Sequence, residues 1–214
     1  MRLKAPAEPR RSTLRVLPVE KRDVAQPSDE ELIDAVRRGD HRVAALLYDR
    51  VVGNVERALF RVFGRREPDH DDLVQTVFEQ IVLTLTRRSY AQACSLKTWA
   101  SSIAGHVALN TLRSRRVERR VLDRRPPIDP QQVRSKDDVE ATANARFELQ
   151  RVRRTLTGLP IEQSQTLLLH DILGHGLAEI AVMMQVPVMT AQTRLSRGRR
   201  RLIARMEQES PTRR

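Results

Sequence analysis

Residues 176–206, "GLAEIAVMMQVPVMTAQTRLSRGRRRLIARM", decide the fold class of the C-terminal part of the chain. The apolar spacing before Val186-Pro187 predicts a short helix, and the proline marks a tight turn. After the turn, Thr190 is expected to cap a longer helix whose apolar residues return with helical spacing. Two helices joined by such a turn form a helix-turn-helix unit.

The longer helix has two contrasting faces. With about 100° of rotation per residue, the residues within about 60° of Leu195 form an apolar edge: Ala191, Gly198, Leu202 and Met206. The opposite half contains Thr190, Thr193, Arg197, Arg200 and Arg201, with Arg194 on its flank. No acid lies between Thr190 and Met206, so the like charges repel one another without internal ion pairing. This face indicates a polyanionic partner, and its residue types suit the DNA major groove.

Composition agrees with a helical, nucleic-acid-binding protein. The 214 residues carry a formal net charge of +12, which favours nucleic acid or an anionic membrane surface as partner. Only 3% of the residues are aromatic, which disfavours a β-sandwich or barrel. No run approaches the roughly 18 apolar residues of a membrane span, and no apolar segment typical of a secretory signal follows the first arginines. The single Cys94 excludes an internal disulfide and fits a reducing compartment, so a cytoplasmic protein without membrane insertion is expected.

The chain divides into two predicted all-α domains, a helical bundle and a four-helix domain that contains the helix-turn-helix. Breaks in periodicity and runs of proline predict the following organisation: a flexible basic arm over 1–27, a helical domain over 28–120, a linker over 121–143, a second helical domain over 144–208, and a tail over 209–214. Within the first domain, Ser28 and Glu31 predict a capping box. Asp40 and Asp69 are expected to cap later helices.

Two polar features of the first domain suggest binding surfaces. Asp72, Gln75 and Glu79 form a ridge opposite an apolar stripe, which by itself is an ordinary exposed helix face. Farther along, seven arginines lie within the thirteen residues 113–125, in the stretch that begins "RSRRVERR". Because helix capping requires far fewer cations, this cluster predicts a second phosphate-binding surface.

Three stretches of the chain together resemble the extracytoplasmic-function (ECF) group of bacterial sigma factors in the sigma-70 family. They are "DHDDLVQTVFEQI", "LKTWASSIAGHVALNTLRSRR" and "LTGLPIEQSQTLLLHDILGHGLAEIAVMMQVPVMTAQTRLSRGRRRL", and they occur in the order of that family. The resemblance covers about residues 28–120 and 145–206. It implies an initiation factor that binds core RNA polymerase, reads two promoter elements and opens DNA by holding an unstacked base.

The resemblance also implies three sets of site residues. Contact with the clamp coiled coil of the polymerase β′ subunit is expected from Asp72, Gln75 and Phe78. The minus-ten element is expected to contact Ala93, Cys94, Ser95, Lys97, Trp99, His106, Asn110, Arg113 and Arg116. The resemblance and the angular count together assign seven residues to the minus-thirty-five element: Thr190, Gln192, Thr193, Arg194, Arg197, Arg200 and Arg201. The implied partners are core polymerase (β′ clamp coiled coil and β flap), promoter DNA and an anti-sigma factor, and no catalytic residue, cofactor or metal is expected.

The sequence departs from the family pattern at several positions. Met189 and Ala191 stand where the family has glycine and valine at the start of the reading helix. Ser164 replaces a usual arginine, and Gly176 removes a hydroxyl that would cap the first helix of the helix-turn-helix pair. These changes leave the predicted fold intact and bear on promoter preference.

Two other functions are compatible with parts of the sequence. A helix-turn-helix repressor or activator would use the first domain for dimerisation or sensing and would ignore polymerase. A metal-dependent hydrolase would use the pairs His70-Asp71 and His170-Asp171. The histidines show no HExxH-like spacing and fall on different predicted helices, which disfavours the hydrolase.

Overall fold

The computed structural model describes residues 27–90, 92, 94–122 and 139–208, and every regular element in these ranges is helical. The elements are α1 (Asp29–Arg37), a 3-10 turn (His41–Val43), α2 (Ala44–Phe63), α3 (His70–Thr86), α4 (Leu96–Leu122), α5 (Val139–Thr157), α6 (Ile161–Leu167) with a π-helical continuation (Leu168–Ile172), α7 (Leu177–Met183) and α8 (Val188–Gln208). The all-α fold class is confirmed. We call α1–α4 the N-terminal unit and α5–α8 the C-terminal unit.

The predicted arm and tail, and most of the predicted linker, lie outside the described residues. Of the arm, the structure describes Pro27 alone. At the two ends of the linker, α4 continues to Leu122 and α5 begins at Val139. Alanine and glutamate are common in residues 139–143, and their helix propensity outweighs the polar composition that suggested a linker there.

The first two helix starts of the N-terminal unit follow the predicted side-chain chemistry. The Ser28 hydroxyl accepts a hydrogen bond from the Glu31 backbone N–H at 3.2 Å, and the Glu31 carboxylate accepts one from the Ser28 N–H at 2.7 Å. The capping box is therefore confirmed. Asp40 likewise caps the 3-10 turn, since its carboxylate accepts from the Arg42 N–H at 3.1 Å.

Two other predicted caps are wrong. Asp69 precedes α3 but makes no side-chain cap, because its carboxylate is held by the Arg115 guanidinium at 2.7 and 2.8 Å. Thr190 lies inside α8, which begins at Val188; the Pro187 carbonyl accepts from the Thr190 N–H at 2.9 Å. Proline has a backbone angle already suited to a helix start, so the helix begins three residues earlier than predicted.

The N-terminal unit is a bundle in which α2 packs along α4 and α3 closes the side. Apolar residues that recur every three or four positions predict its core, and the structure confirms them as buried: Leu47, Val51, Val55, Leu59 and Val62 from α2, and Leu73, Val77, Ile81 and Leu85 from α3. From α4, Leu96, Trp99 and Val107 are buried, and Ile103 is partly buried against the same core.

The C-terminal unit is organised around the apolar edge of α8. Ala191, Leu195 and Gly198 are buried, which confirms the angular prediction for the first part of the core side, and Leu202 and Met206 are half-buried. A side chain at Gly198 would meet Leu167 at 3.0 Å, so glycine permits the close approach of α6 and α8. Ahead of α7, the Gly176 N–H donates to the Glu179 carboxylate at 3.0 Å. That bond satisfies one helix-start donor in place of the missing hydroxyl cap.

The two units share one continuous hydrophobic core. The contact runs from α4 to α5, α6 and the π-helical segment, and from α2 to that same segment. The contact between the two units therefore includes α4, one of the helices predicted to bind DNA.

Candidate polymerase and DNA interfaces

The predicted polymerase surface lies on the outer face of α3. Asp72 and Gln75 are exposed, and the Gln75 amide donates to Glu79 at 3.0 Å. Phe78 is half-buried because its ring packs edge-on against Tyr48 of α2, with ring centroids 5.4 Å apart. Tyr48 was not predicted for this surface, and it joins the surface through packing between helices. Its only signal was an aromatic residue outside the apolar stripe of α2.

The segment before α4 contains the residues expected to capture a base. Ser95 and Lys97 are exposed and Cys94 is half-buried, whereas Ala93 lies outside the described residues. The Ser95 hydroxyl accepts from the Thr98 N–H at 3.1 Å, so this serine also caps α4. Burial raises the pKa of the Cys94 thiol, which keeps it uncharged at neutral pH. The Ser95 cap therefore fixes the backbone between Ser95 and Thr98 at the start of α4.

Trp99 lies mostly inside the bundle. Its side chain is 8% exposed, and its ring lies 4.4 Å from that of Tyr90 with a tilt of 32°. The remaining edge borders a cavity of about 470 Å³ between the two units, which is also lined by His106, Leu168 and Met183. In this arrangement the tryptophan is a core anchor with one edge toward the cavity.

The remaining predicted minus-ten residues lie along α4, and several of them contact the C-terminal unit. The His106 Nδ1 atom lies 2.6 Å from the Gln165 amide nitrogen. Arg113 donates to the Ser164 hydroxyl and to the Leu159 carbonyl, the latter at 3.4 Å. Arg116 donates to the Arg154 carbonyl at 2.7 Å and to the Thr157 hydroxyl at 3.1 Å, while Asn110 is exposed. The α4 residues are thus brought together on one helix but face the second unit.

Arg115 differs from its neighbours in the arginine cluster. Its guanidinium bonds Glu67 at 2.7 Å and Asp69 at 2.7 Å, and lies 5.4 Å from the Phe63 ring centroid. The bond from Arg115 lowers the pKa of Asp69. Burial by itself would raise the pKa of Glu67, but Arg65 and Arg115 hold it below its ordinary value. Arg115 therefore ties the α2–α3 connection to α4, and its charge is compensated by two carboxylates.

The α8 surface is open to solvent. Gln192, Thr193, Arg197, Arg200 and Arg201 are exposed, and Thr190 and Arg194 are half-buried. The Thr193 hydroxyl donates to the Met189 carbonyl at 2.8 Å, and Arg201 donates to the Gln163 side chain at 3.1 Å. Thr190, Thr193, Arg194 and Arg197 border one shallow depression with Met189 and Gln163. Threonine and arginine side chains are therefore displayed along an exposed helix, as direct base contact requires.

The comparison with known families covers both units. Residues 47–118 match the family model described as Sigma-70 region 2, and residues 149–202 match the one described as Sigma-70, region 4. The chain belongs to the sigma-70 family. The region 2 match contains the α3 and α4 surfaces of this sigma factor, and the region 4 match contains the exposed face of α8 through Leu202.

Individual relatives of this sigma factor agree with the family match. The chain is 28% identical over 186 residues to the ECF RNA polymerase sigma-E factor of Haemophilus influenzae, an alignment that covers 81% of this chain and 93% of the relative. It is 25% identical over 197 residues to the RNA polymerase sigma-H factor of Pseudomonas aeruginosa, covering 82% and 92%. Membership of the ECF group, predicted from three motifs, is confirmed.

A solved structure is also similar to the chain. It is the structure of CnrH in complex with the cytosolic domain of CnrY, with a TM-score of 0.48 and 24% identity; the match covers 85% of this chain and 99% of that chain.

The histidine–aspartate pairs of the sigma factor have structural partners. His70 is buried with its Nε2 atom 3.9 Å from a Glu56 carboxylate oxygen. Asp171 accepts from Arg199 at 3.0 Å and lies 2.7 Å from His170 Nδ1, which joins α8 to the π-helical segment. Within the described ranges, no three His, Cys, Asp or Glu residues are grouped as a metal site.

None of the helices in the part of the chain that the structure describes is both long and apolar enough to cross a membrane.

Proposed function

We propose that this ECF sigma factor binds core RNA polymerase and directs transcription initiation at promoters with two recognition elements. The observation that carries the proposal is the pair of family matches, region 2 followed by region 4, on one chain. Support comes from an exposed basic helix in the second unit and a polar helix face in the first. The domains are proposed to span 28–120 and 144–208, and the connection between them includes the end of α4 and the start of α5.

Polymerase binding is assigned to the outer face of α3. Asp72 and Gln75 present a carboxylate and an amide, and Phe78 with Tyr48 supplies an aromatic contact beside them. Polar groups around a small aromatic centre are a common arrangement for a protein interface. The β′ clamp coiled coil is the proposed partner of this face, and the β flap is the proposed partner of the C-terminal unit.

Minus-ten recognition is assigned to the segment before α4 and to residues along α4. The segment would hold an unstacked base near Cys94, Ser95 and Lys97, and Arg113 and Arg116 would contact phosphates. Unstacking a base costs a few kcal/mol, which polymerase and phosphate contacts can offset. This mechanism forms and breaks no covalent bond and needs no cofactor. With 3% aromatic residues the protein has modest melting power and should require a good promoter match.

Minus-thirty-five recognition is assigned to α8. Arg197 extends from the exposed face beside Thr193, where a guanidinium can donate two hydrogen bonds to a guanine edge. Arg200 and Arg201 lie farther along the helix and are the proposed phosphate contacts. Met189 and Ala191 alter the start of this helix, so the preferred sequence should differ from that of relatives with glycine and valine there.

The proposed group membership and the proposed partner also indicate how the protein is regulated and where it acts. A factor of this group is expected to be held inactive by an anti-sigma protein until it is needed. Because its proposed partner is core polymerase, we place its action in the bacterial cytoplasm.

Co-purification with core polymerase tests the function. We expect wild-type protein to bind core polymerase and Asp72→Arg to lose binding, since the change reverses the charge of the exposed α3 face. Asp34→Arg is the matched control, because Asp34 is exposed on α1 and pairs with Arg37 alone among the described residues, at 3.4 Å.

Transcription from a randomised promoter library by the reconstituted holoenzyme then identifies the two elements. A chain that binds duplex DNA by itself but neither captures polymerase nor supports transcription would instead be a helix-turn-helix regulator.

A further inference from the structure

We infer that Met189 is a specificity residue of the minus-thirty-five surface, where its side chain packs on the C5-methyl group of a thymine in the major groove. The inference rests on the proposed function, because it concerns the DNA-reading face of α8. It adds a residue outside the seven assigned to that element and names the base that this residue selects.

Met189 lies where a recognition helix meets the bases. It is the second residue of α8, which begins at Val188. In helix-turn-helix proteins the first residues of the second helix contact base edges in the major groove. With about 100° of rotation per residue, Met189 lies about 40° from Thr193 and about 120° from the buried Leu195. The side chain therefore belongs to the outward half of the helix.

The Met189 side chain is more open to solvent than any other large apolar side chain that the structure describes, at 70% exposed. A single exposed apolar residue is ordinary on a protein surface, but this one borders the same depression as Thr193, Arg194 and Arg197. DNA bound there would bury the methionine, and an apolar partner would make that burial favourable. The thymine methyl is the apolar group that the major groove displays.

Thr193 presents a second apolar group beside Met189. Its hydroxyl donates to the Met189 carbonyl at 2.8 Å, one turn back along α8. That bond commits the hydroxyl proton to the backbone, so Thr193 cannot donate it to a base while the bond is made. The Thr193 methyl group remains, and a threonine methyl is a common contact of the thymine methyl. Met189 and Thr193 thus form an apolar pair within a cationic surface.

The surroundings of this apolar pair favour DNA over a protein partner. Arg194 and Arg197 border the same depression, and none of the described residues that border it is acidic. A methionine side chain and a threonine methyl offer far less apolar area than the roughly 800 Å² that each partner buries in a stable protein interface. Cationic groups around a small apolar centre instead match a thymine in a groove lined by phosphates.

The side chain at position 189 also distinguishes this sigma factor from the family pattern. Glycine, which the pattern has in place of Met189, carries no side chain and cannot make this contact. Methionine is unbranched and adapts to the surface against which it packs. We therefore expect a preference for thymine at a base pair where relatives with glycine show none.

Selection of the minus-thirty-five element is the first test. The reconstituted holoenzyme selects elements from a randomised duplex library, with wild type and Met189→Ala compared side by side. We expect one thymine position to be enriched by wild type and not by Met189→Ala. Ile203→Ala is the matched control, because Ile203 is an apolar residue farther along α8, is 56% exposed and does not border the depression.

Uracil in place of the selected thymine then tests the contact itself, since uracil lacks only the C5-methyl group. Binding of the holoenzyme to the two duplexes is measured by equilibrium competition. Wild type and Ile203→Ala should lose about fourfold in affinity with uracil, the amount expected for one buried methyl group. Met189→Ala should bind both duplexes equally, whereas Met189→Leu, which keeps an apolar side chain, should retain part of the discrimination.

Several results would overturn the inference. They are the lack of any enriched thymine in the wild-type selection, equal binding of the two duplexes by wild type, and an undiminished loss with uracil in Met189→Ala. A gain in affinity for Met189→Ala on the thymine duplex would show that the side chain hinders DNA, and weaker capture of core polymerase would assign Met189 to a protein contact instead. Failure of the wild-type holoenzyme to transcribe refutes the proposed function, whereas transcription without a thymine–uracil difference refutes this inference alone.

Discussion

Helices α4 and α8 each carry an arginine-rich face, yet the surroundings of the two faces differ. On α8, Arg197 and Arg200 are exposed and make no hydrogen bond or ion pair with any described residue. On α4, Arg115 is bound by two carboxylates, while Arg113 and Arg116 donate to the C-terminal unit. A cluster of arginines in sequence therefore shows where positive charge lies, and the acceptors around it decide whether it is available to DNA.

The largest effect should come from the arginine of α4 that has a structural role. Arg115→Ala leaves Glu67, whose side chain is 7% exposed, without one of its two guanidinium partners. We expect the free energy of unfolding to fall by about 2 to 3 kcal/mol, measured by urea denaturation. Arg119→Ala, one turn along and exposed, should change it by less than about 0.5 kcal/mol. Equal effects of the two substitutions would remove the distinction between Arg115 and its neighbours.

The next effect concerns base recognition on α8. Arg197→Ala should weaken binding of the selected promoter by the holoenzyme by about 2 kcal/mol, roughly thirtyfold, and should relax sequence preference at one position. Arg199→Ala is the matched control, because Arg199 is held by Asp171 and the bond lowers the pKa of that carboxyl. The control should lose some stability and keep its promoter affinity. Retained specificity in Arg197→Ala would mean that another residue reads the base.

A smaller effect separates phosphate contact from base contact on the same helix. Arg200→Ala should weaken binding to all duplex sequences alike and reduce the slope of log affinity against log salt by about 0.9. The measurement is anisotropy of a duplex promoter fragment over a salt series. A change in sequence preference with an unchanged slope would reassign Arg200 to base recognition.

The smallest effect is a pH dependence of the stability of the contact between α4 and the C-terminal unit. Burial lowers the pKa of His175 below its ordinary value of 6.5; Arg61 lowers it further and Glu179 opposes the shift. Its Nε2 atom contacts Ser101 of α4, so part of that burial depends on the contact between the two units, and we call the arrangement with this contact the closed state. The closed state then holds fewer protons than the open one. It is at full strength above pH 6.5 and weakens as pH falls toward the lowered pKa.

Small-angle scattering at two pH values checks this sign. The radius of gyration of the free wild-type protein should be larger at acidic pH than at pH 7.5. His175→Gln, which cannot titrate, should show a weaker dependence. A radius that decreases on acidification would contradict the assignment.

Much of the fold could be predicted because helical periodicity reports directly on the buried side. The stripes of α2, α3 and α8 were found from spacing alone, since each helix buries one face and repeats it with every turn. Helix starts were less predictable. Asp69 has the right residue type for a cap, but a guanidinium 46 residues away competes for its carboxylate. That competition depends on how α3 and α4 pack, which spacing does not encode.

The predicted sites likewise divide into features that depend on one helix and features that depend on packing between helices. The exposed α8 residues follow from one angular count within a single helix, so their common face was determined locally. Tyr48 was missed because it lies on another helix from its partner Phe78, and the ring contact of 5.4 Å exists only after α2 and α3 pack. Trp99 could have been a core residue or a DNA contact by sequence, and packing against Tyr90 made it mostly buried.

The sequence by itself determined most of the helices, their buried faces, the family and the positive charge on α4 and α8, because these depend on neighbours along one chain segment. Only the tertiary structure decided which arginines have acceptors within the protein. Gly105 illustrates the difference: in sequence it is a weak point in a helix, and in the folded chain it is the place where Leu168 and Leu173 reach α4. Hydrogen bonds and close contacts between residues far apart in sequence form only when the units come together.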